Sequence, residues 1–378
     1  MKKKNLVCFG LSAAMALSLA GCGSAASSAG TASGAASAAS SDATSAVSSA
    51  AATSSATSSV TASSGKVDTS NAEITLRLGH VVADGTPLDL GDDYFAEKVA
   101  EYSDGRIAVE VYPDSALGDN RSMLESLQMG TIDMMSPAVA AVGGFTDSTL
   151  IFDLPYLFKN TDHAEAVLDG DIGDGVFKDL EDSGFHGLSW FFQGWRELSC
   201  NTEVHSPDDL KGMKIRTQDN EIQIASWNNL GASAVPMAFS EVLTSLQEGV
   251  IDAEENPMSN IYLSGFYEAQ KYIIMTNHIY DPCPLLISSK VWDTLSDEDK
   301  DILQKAADEA TDYQRDITEQ MDADFAKKIE DSGKCTVVEL TDEERQAFRE
   351  ASQPIYDQYA DRIGQDRIDE VNKIGEDY

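Results

Sequence analysis

The spacing of apolar residues in the first part of the folded chain changes repeatedly between the periods of a strand and a helix. The predicted strands cover residues 73–80, 106–112 and 132–135, and the predicted helices cover residues 92–102 and 120–129. This strand–helix–strand–helix–strand order predicts a parallel sheet with helices on both of its faces.

A second series of strands and helices follows. Its predicted strands cover residues 185–193, 196–201, 213–216 and 250–254, and its predicted helices cover residues 221–230 and 239–247. Two such series predict an α/β fold with two lobes and a ligand cleft between them, because ligands of open α/β sheets lie beyond the carboxyl ends of the strands. The predicted lobes comprise residues 71–193 with about 282–321, and residues 194–281 with about 322–378.

The C-terminal part is predicted to be mostly helical. Residues 297–330 contain neither glycine nor proline and have a mixed charge pattern, so they are predicted to form one very long helix. Two ordinary helices with an unmarked break are the alternative. Residues 341–378 are predicted to form two or three short amphipathic helices.

The first 70 residues have the pattern of a leader and a tether. A basic start precedes an apolar run over residues 6–20, which matches a signal-peptide core and is too short for a membrane span. Because Leu19-Ala20-Gly21-Cys22 resembles a bacterial lipobox, residues 1–21 are predicted to be removed and Cys22 to be lipidated; a plain signal peptide is the alternative. Residues 22–70 are rich in Ala, Ser and Thr and predict a disordered tether, which favours the outer face of a Gram-positive cell membrane.

Charge and cysteine content narrow the possible partners. The chain has 64 acidic and 27 basic side chains and a formal net charge of −37. Nucleic acid is not expected as a partner, because binding it requires a basic face. Apart from Cys8 in the leader and the predicted lipidation site Cys22, the cysteines are Cys200, Cys283 and Cys335, and their wide spacing predicts no disulfide framework, although a single bridge stays open.

Residue combinations typical of enzymes and metal sites are missing from the folded part. It has no Gly-x-Ser-x-Gly elbow, no His-Glu-x-x-His helix and no phosphate-binding glycine loop. The histidines form no pair with metal-ligand spacing, and the adjacent Glu254 and Glu255 would face opposite sides of a strand, unlike a glycosidase pair. We therefore expect no enzyme activity, no cofactor and no metal ion.

Two arginines and an asparagine mark the candidate ligand site. Arg216 follows Arg196 by twenty residues, and Asn256 follows forty residues later. Each arginine adjoins a short apolar stretch that is predicted to be a strand. A planar guanidinium makes two parallel hydrogen bonds to a carboxylate, so these residues predict a site for an organic acid.

Four segments around these residues carry a more specific signal. They are Gln193-Gly194-Trp195-Arg196, Leu210-Lys211-Gly212-Met213-Lys214-Ile215-Arg216, Val235-Pro236-Met237-Ala238-Phe239-Ser240-Glu241-Val242 and Asp252-Ala253-Glu254-Glu255-Asn256-Pro257. With them, residues 73–378 resemble the solute-binding proteins of TRAP transporters, which are tripartite, ATP-independent uptake systems. The resemblance implies that Arg216 is the main carboxylate ligand, that Arg196 supports it, and that Asn256 and Phe239 complete the cavity. It also implies a long helix across both lobes, and membrane subunits as partners.

Three further residues are candidates for the ligand site. His80 ends a predicted strand and is either a ligand donor or a neutral loop residue, and Asn120 opens a helix and either contacts the ligand or caps the helix. Trp190 either lines the site, where an aromatic face would suit a sugar acid, or packs in the core.

The sequence thus predicts a lipid-anchored, extracytoplasmic solute-binding protein. It would capture a C4-dicarboxylate or a sugar acid, and the resemblance implies that it delivers this ligand to TRAP membrane subunits. A binding protein of an ATP-driven transporter or of a sensor has a similar cleft and is the alternative; a lipid-anchored hydrolase is a distant one.

Overall fold

Nine strands form one mixed sheet in the computed structural model, which describes residues 67–378. The predicted leader, Cys22 and most of the predicted tether lie outside the described residues. The strands are β1 (Ile74–Gly79), β2 (Ile107–Tyr112), β3 (Met134–Met135), β4 (Phe185–Cys200), β5 (Lys214–Thr217), β6 (Ser233–Pro236), β7 (Ala253–Pro257), β8 (Tyr272–Ser288) and β9 (Thr336–Glu339). Their order is β2-β1-β3-β8-β4-β7-β5-β6, and β9 also pairs with β8.

Twelve α-helices pack around this sheet in the described part of the chain. They are α1 (Pro87–Tyr102), α2 (Asn120–Met129), α3 (Val139–Val142), α4 (Thr161–Leu168), α5 (Asp171–Glu181), α6 (Glu221–Asn229), α7 (Val242–Gln247), α8 (Met258–Leu263), α9 (Ser289–Trp292), α10 (Asp297–Ser332), α11 (Asp342–Ile363) and α12 (Gln365–Ile374). Within residues 67–378, none of the helices combines the length and apolar character needed to cross a membrane.

The two predicted parallel series are present, and two long antiparallel strands join them. Strand β1 is parallel to β2 and β3, and β5 is parallel to β6 and β7. Strand β8 is antiparallel to β3 and β4, and β4 is antiparallel to β7. The predicted α/β class is therefore confirmed, whereas the predicted lobe boundaries stay a prediction.

Strand β4 corrects the prediction of two separate strands over 185–193 and 196–201. The register with β8 shifts between Phe192 and Trp195, where Gly194 has a φ of 125°. An irregularity of this kind lets one strand continue past a residue in a conformation that favours glycine. Strand β8 was missing from the prediction because Pro282 and Pro284 argue against a strand interior.

Helix ends follow local capping chemistry. Helix α1 begins five residues before its predicted start because Thr86 accepts a hydrogen bond from the backbone N–H of Asp89, and Pro87 suits the first turn. The predicted long helix is confirmed as α10, which spans 36 residues and starts at a capping box formed by Ser296 and Asp299. Helix α10 is tied to β4 through Gln314, whose side-chain amide bonds both backbone groups of Phe192.

Candidate ligand-binding site

A cavity of about 340 Å³ lies where β5 and β6 end, opposite the loop after β2 and the start of α2. Its polar lining residues are Ser115, Asp119, Asn120, Arg121, Arg216, Gln218 and Asp219, and its apolar lining includes Val81, Phe145, Met237 and Phe239. Three of the predicted site residues, Asn120, Arg216 and Phe239, are therefore brought together from distant parts of the chain.

Arg216 is a buried cation with an unused donor. It lies on β5 between β6 and β7, is 3% exposed, and its Nε and Nη2 donate to the carbonyl oxygen of Met237 at 3.2 and 3.0 Å. Its Nη1 has no hydrogen-bond partner among the described residues. Burial lowers the pKa of Arg216 to about 10, so the guanidinium still carries its charge at neutral pH. A buried, charged donor without a partner is costly, and an anion in the cavity would remove that cost.

Phe239 and Asn120 flank this guanidinium in the cavity. The ring of Phe239 has its centroid 6.0 Å from the guanidinium carbon of Arg216, and it packs edge-on against Phe266. Asn120 is the first residue of α2, and its Oδ1 is buried without a hydrogen-bond partner in residues 67–378. The helix is capped instead by Asp119, which accepts from the backbone N–H of Ser122 at 2.8 Å. The capping alternative for Asn120 is therefore wrong, and its predicted contact with the ligand stays a prediction.

Arg196 is not placed at the cavity. It is fully buried, its Nη1 donates to Asp281 at 2.6 Å, and its Nη2 donates to Glu255 at 2.9 Å. Its Nε also donates to Glu255, and a further bond goes to the carbonyl oxygen of the same residue. Burial disfavours the charge, but the two carboxylates outweigh it and raise the pKa of Arg196. Nε, Nη1 and Nη2 of this guanidinium all donate within the protein, and the predicted contact of Arg196 with the ligand stays a prediction.

Two adjacent glutamates on β7 have opposite electrostatic surroundings. Burial opposes the ionised form of Glu255, but Arg196 and His278 overcome it and lower its pKa to about 2. Burial dominates at Glu254 and raises its pKa to about 7, although Asn256 and Ser199 donate hydrogen bonds to it. The alternation of a strand thus sends Glu255 into direct contact with the guanidinium of Arg196, whereas Glu254 bonds to the uncharged side chains of Asn256 and Ser199.

The remaining candidates lie away from the cavity lining. Asn256 is 2% exposed and donates a hydrogen bond to Glu254, so its amide is used in the buried hydrogen bonds around that glutamate. His80 is fully buried, and its Nε2 lies 3.1 Å from a carboxylate oxygen of Asp89. Trp190 stacks on Phe177 with ring centroids 4.5 Å apart and lines a different cavity beside α10.

Five polar lining residues were not singled out from the sequence, namely Ser115, Asp119, Arg121, Gln218 and Asp219. Gln218 and Asp219 directly follow β5, so the rule that ligands lie beyond the carboxyl ends of strands would have found them. Ser115 lies in the loop before α2, and Arg121 lies in the first turn of α2. Neither residue type nor its position in the sequence indicated a ligand site.

The chain matches a family of known proteins over most of its folded part. Residues 78–362 match the family described as bacterial extracellular solute-binding protein, family 7, also called DctP. The chain belongs to this family. As a family-7 solute-binding protein it is an extracytoplasmic transport protein rather than an enzyme.

Known relatives bind different organic acids. The chain is 37% identical over 297 residues to the C4-dicarboxylate-binding periplasmic protein DctP of Rhodobacter capsulatus, covering 78% of this chain and 89% of the relative. A TRAP periplasmic solute-binding protein of Sulfurospirillum deleyianum with bound succinate has a TM-score of 0.77 and 32% identity, covering 80% of this chain and 99% of that one. The sugar acid binding protein of Advenella mimigardefordensis in complex with galactonate has a TM-score of 0.78 and 32% identity, with 80% and 98% covered.

Within residues 67–378, this family-7 protein has neither a metal-binding cluster nor a disulfide bond. That range contains no group of three or more His, Cys, Asp or Glu side chains arranged to hold a metal ion. Cys200, Cys283 and Cys335 are buried and unpaired, so none of them is bridged to another.

Proposed function

We propose that this solute-binding protein captures a small organic acid by its carboxylate, with Arg216 as the main ligand residue. The observation that carries the proposal is the unpartnered Nη1 of a buried, charged guanidinium in a cavity. The cavity volume of about 340 Å³ lies in the range of small-molecule sites.

The hydrogen bonds of Arg216 define which edge of the guanidinium is left for the ligand. Nε and Nη2 share the carbonyl oxygen of Met237, which occupies the side edge. The end-on edge formed by Nη1 and Nη2 keeps its donors, and two parallel N–H groups there fit the two oxygens of one carboxylate. Phe239 supports the guanidinium from one side, and Asn120 supplies a polar group for the rest of the ligand.

Delivery of the ligand to the membrane subunits of a TRAP-type uptake system completes this proposal. Membership of the solute-binding family and the likeness to TRAP solute-binding proteins support it. The two parallel series joined by β4 and β8 suit a hinge movement that closes the cleft over the ligand. Because the contacts of Arg196 are internal, we assign the capture of the carboxylate to Arg216 alone.

The carboxylate requirement can be tested by thermal unfolding against a panel of acids and matched neutral compounds. A ligand that binds only the folded state raises the melting temperature. We expect one or more of succinate, tartrate, erythronate, gluconate and galacturonate to raise it, while butanediol, erythritol, sorbitol and galactose do not. An equal rise with a neutral partner would contradict the carboxylate-binding function.

We further propose that the protein is held at the outer face of the membrane of a Gram-positive cell through lipid on Cys22. The lipobox-like Leu19-Ala20-Gly21-Cys22 and the Ala- and Ser-rich segment after it support this. Cys22→Ser should move the protein from the membrane fraction into the medium. Unchanged membrane retention of the variant would contradict the anchor.

A further inference from the structure

Arg216 shares its face of the sheet with a buried carboxyl group that does not line the ligand cavity. Strands β5 and β7 are parallel, and their register places Arg216 opposite Glu254, which is fully buried. Opposite residues on neighbouring strands lie roughly 4.8 Å apart and present their side chains to the same face. The charges of Arg216 and Glu254 therefore act on each other through the protein interior, where such effects are stronger than in water.

Four structural elements bring titratable groups near Glu254. Strand β4 contributes Arg196, Glu197 and Cys200, β5 contributes Lys214 and Arg216, β7 contributes Glu255, and α8 contributes Tyr262. Arg216 favours the ionised form of Glu254, whereas Glu255 opposes it. Lys214 is exposed, so its charge is screened by water. Arg216 is thus the cation that acts on Glu254 within buried surroundings.

The other groups on these elements are paired, uncharged or packed elsewhere. Arg196 is held by two carboxylates of the protein. Burial raises the pKa of the Cys200 thiol to about 12, so the thiol stays neutral, and burial also raises the pKa of Glu197 well above its ordinary value. The ring of Tyr262 packs on Phe325. The charge of Glu254 therefore depends chiefly on Arg216 and on what Arg216 binds.

The hydrogen bonds of Glu254 suit both of its protonation states. The ionised carboxylate accepts from the amide of Asn256 and from the hydroxyl of Ser199. The protonated group can donate to the same hydroxyl, because a serine oxygen also accepts, while Asn256 keeps its bond to the other oxygen. Burial favours the neutral form and raises the pKa of Glu254 to about 7. Both states are therefore populated near neutral pH.

We infer that Glu254 takes up a proton from solvent when Arg216 binds the carboxylate of the ligand, so that ligand capture depends on pH. This inference rests on the proposed function, because it assumes that a carboxylate occupies Arg216. In the free protein, an ionised Glu254 partly balances the buried guanidinium. The bound carboxylate takes over that role, and its negative charge disfavours a second anion at Glu254.

Ligand affinity should fall as the pH rises through 7. Above this pH Glu254 is ionised in the free protein and must gain its proton as the ligand binds, which costs more at each higher pH. Well below this pH Glu254 is neutral with and without the ligand, so it makes no contribution to the pH dependence. We expect binding to be about tenfold weaker at pH 9 than at pH 6.

Calorimetric titration of the whole extracytoplasmic chain measures both the affinity and the proton. The probe is the acid, among succinate, tartrate, erythronate, gluconate and galacturonate, that most raises the melting temperature. Titrations at pH 7.5 in HEPES and in Tris, which differ in ionisation enthalpy, should show uptake of roughly half a proton per ligand.

The outcomes distinguish this inference from the function on which it rests. Binding without proton uptake, lost in Arg216→Ala, would overturn the inference and leave the proposed function intact. Binding of none of the acids, or full binding in Arg216→Ala, would overturn the proposed function and the inference with it.

Glu254→Gln replaces the carboxyl group by an amide that stays neutral at every pH. The variant should bind the acid at pH 9 about as tightly as the natural protein does at pH 6. The control Asp322→Asn removes another carboxyl group whose pKa burial raises to about 7, but on α10 and outside the ligand cavity, so it should keep the natural pH profile. Titration of the acid itself is common to all three proteins. A natural profile in Glu254→Gln, or the loss of the profile in Asp322→Asn, would contradict the inference.

Ser199→Ala tests the same coupling in a protein that keeps Glu254. The hydroxyl of Ser199 stabilises the ionised carboxylate, so its removal should move the fall in affinity to higher pH. A purely structural role of Ser199 would leave the position of that fall unchanged. A fall at the natural pH or below it would contradict the inference.

Discussion

Arg196 and Arg216 have the same side chain, lie on strands β4 and β5 of the same sheet with β7 between them, and are almost completely buried, yet their surroundings differ in kind. Arg196 is held by two carboxylates and a carbonyl group, so its charge is neutralised within the protein. Arg216 has one carbonyl oxygen and an unpartnered Nη1. We therefore assign a structural role to Arg196, whose partners belong to the protein, and propose that Arg216, whose Nη1 lacks a partner, is prepared for a ligand.

The largest expected effect is the loss of stability on removal of Arg196. Arg196→Ala leaves Glu255 and Asp281 buried without their cation, and breaking a buried pair in this way costs about 3–5 kcal/mol. Urea denaturation should show this loss in the free energy of unfolding. Arg77→Ala, which removes an arginine with a 42% exposed side chain from β1, should change it by less than about 1 kcal/mol. A loss in Arg196→Ala no larger than in this control would contradict the structural role.

The next largest effect is on the pH dependence of stability, to which the two glutamates of β7 should contribute in opposite directions. The pKa of Glu255 is lowered to about 2 in the folded protein. Its contribution to the free energy of unfolding is therefore fully present above its unfolded pKa of 4.5 and is lost as the pH falls toward 2. Glu254 has its pKa raised to about 7, so folded protein retains a proton that the unfolded chain releases, and stability falls as the pH rises from 4.5 to 7. Glu254→Gln should remove that fall, which is on the order of 3 kcal/mol.

Matched glutamine variants make this contrast measurable. The amide of Glu254→Gln can accept from Asn256 and donate to the hydroxyl of Ser199, so the variant should be more stable than the natural protein at pH 8 and not at pH 4.5. Glu255→Gln should be less stable at pH 8, because Arg196 loses one of its two carboxylates. Urea unfolding at the two pH values measures both changes in the free energy of unfolding. A change of the same sign in the two variants at pH 8 would contradict the opposite roles of Glu254 and Glu255.

A smaller effect is expected from changing the shape of the Arg216 cation. Arg216→Lys keeps the charge but loses the planar fork, so the ligand should bind roughly ten- to a hundredfold more weakly, which corresponds to about 1.4–2.8 kcal/mol. Calorimetric titration measures the change. Natural affinity in the lysine variant would mean that the site recognises charge alone.

The smallest expected effect concerns salt. With a net charge of −37, the protein repels an anion at long range, while the attraction of Arg216 acts within a buried cavity. Screening reduces the long-range repulsion over about 8 Å at physiological salt, so added salt should not slow ligand association. Stopped-flow measurements over a range of salt concentrations test this, and a strong slowing would indicate long-range attraction instead of a local positive site.

Sequence reasoning predicted the α/β class and helices α2 and α10, because these depend on local periodicity, and a specific motif singled out Arg216, which lines the cavity. It assigned Arg196 a supporting role beside Arg216 and did not predict that the contacts of Arg196 are internal to the protein. This internal pairing depends on Asp281, which β8 brings beside β4 and which lies far from Arg196 in the sequence. Strand β8 was itself hidden by its prolines, so the partner that neutralises Arg196 was not predictable from spacing alone.

The most direct test of the central claim is calorimetric titration of Arg216→Ala beside a melting curve, with the acid that most raises the melting temperature of the natural protein. The control is Lys214→Ala, which removes an exposed positive charge from the same strand. We expect Arg216→Ala to lose about 2–5 kcal/mol of binding free energy, or roughly thirtyfold to several thousandfold in affinity, with the fold intact and Lys214→Ala unchanged. Near-natural affinity in a folded Arg216→Ala would contradict the claim that this buried, unpartnered arginine holds the carboxylate.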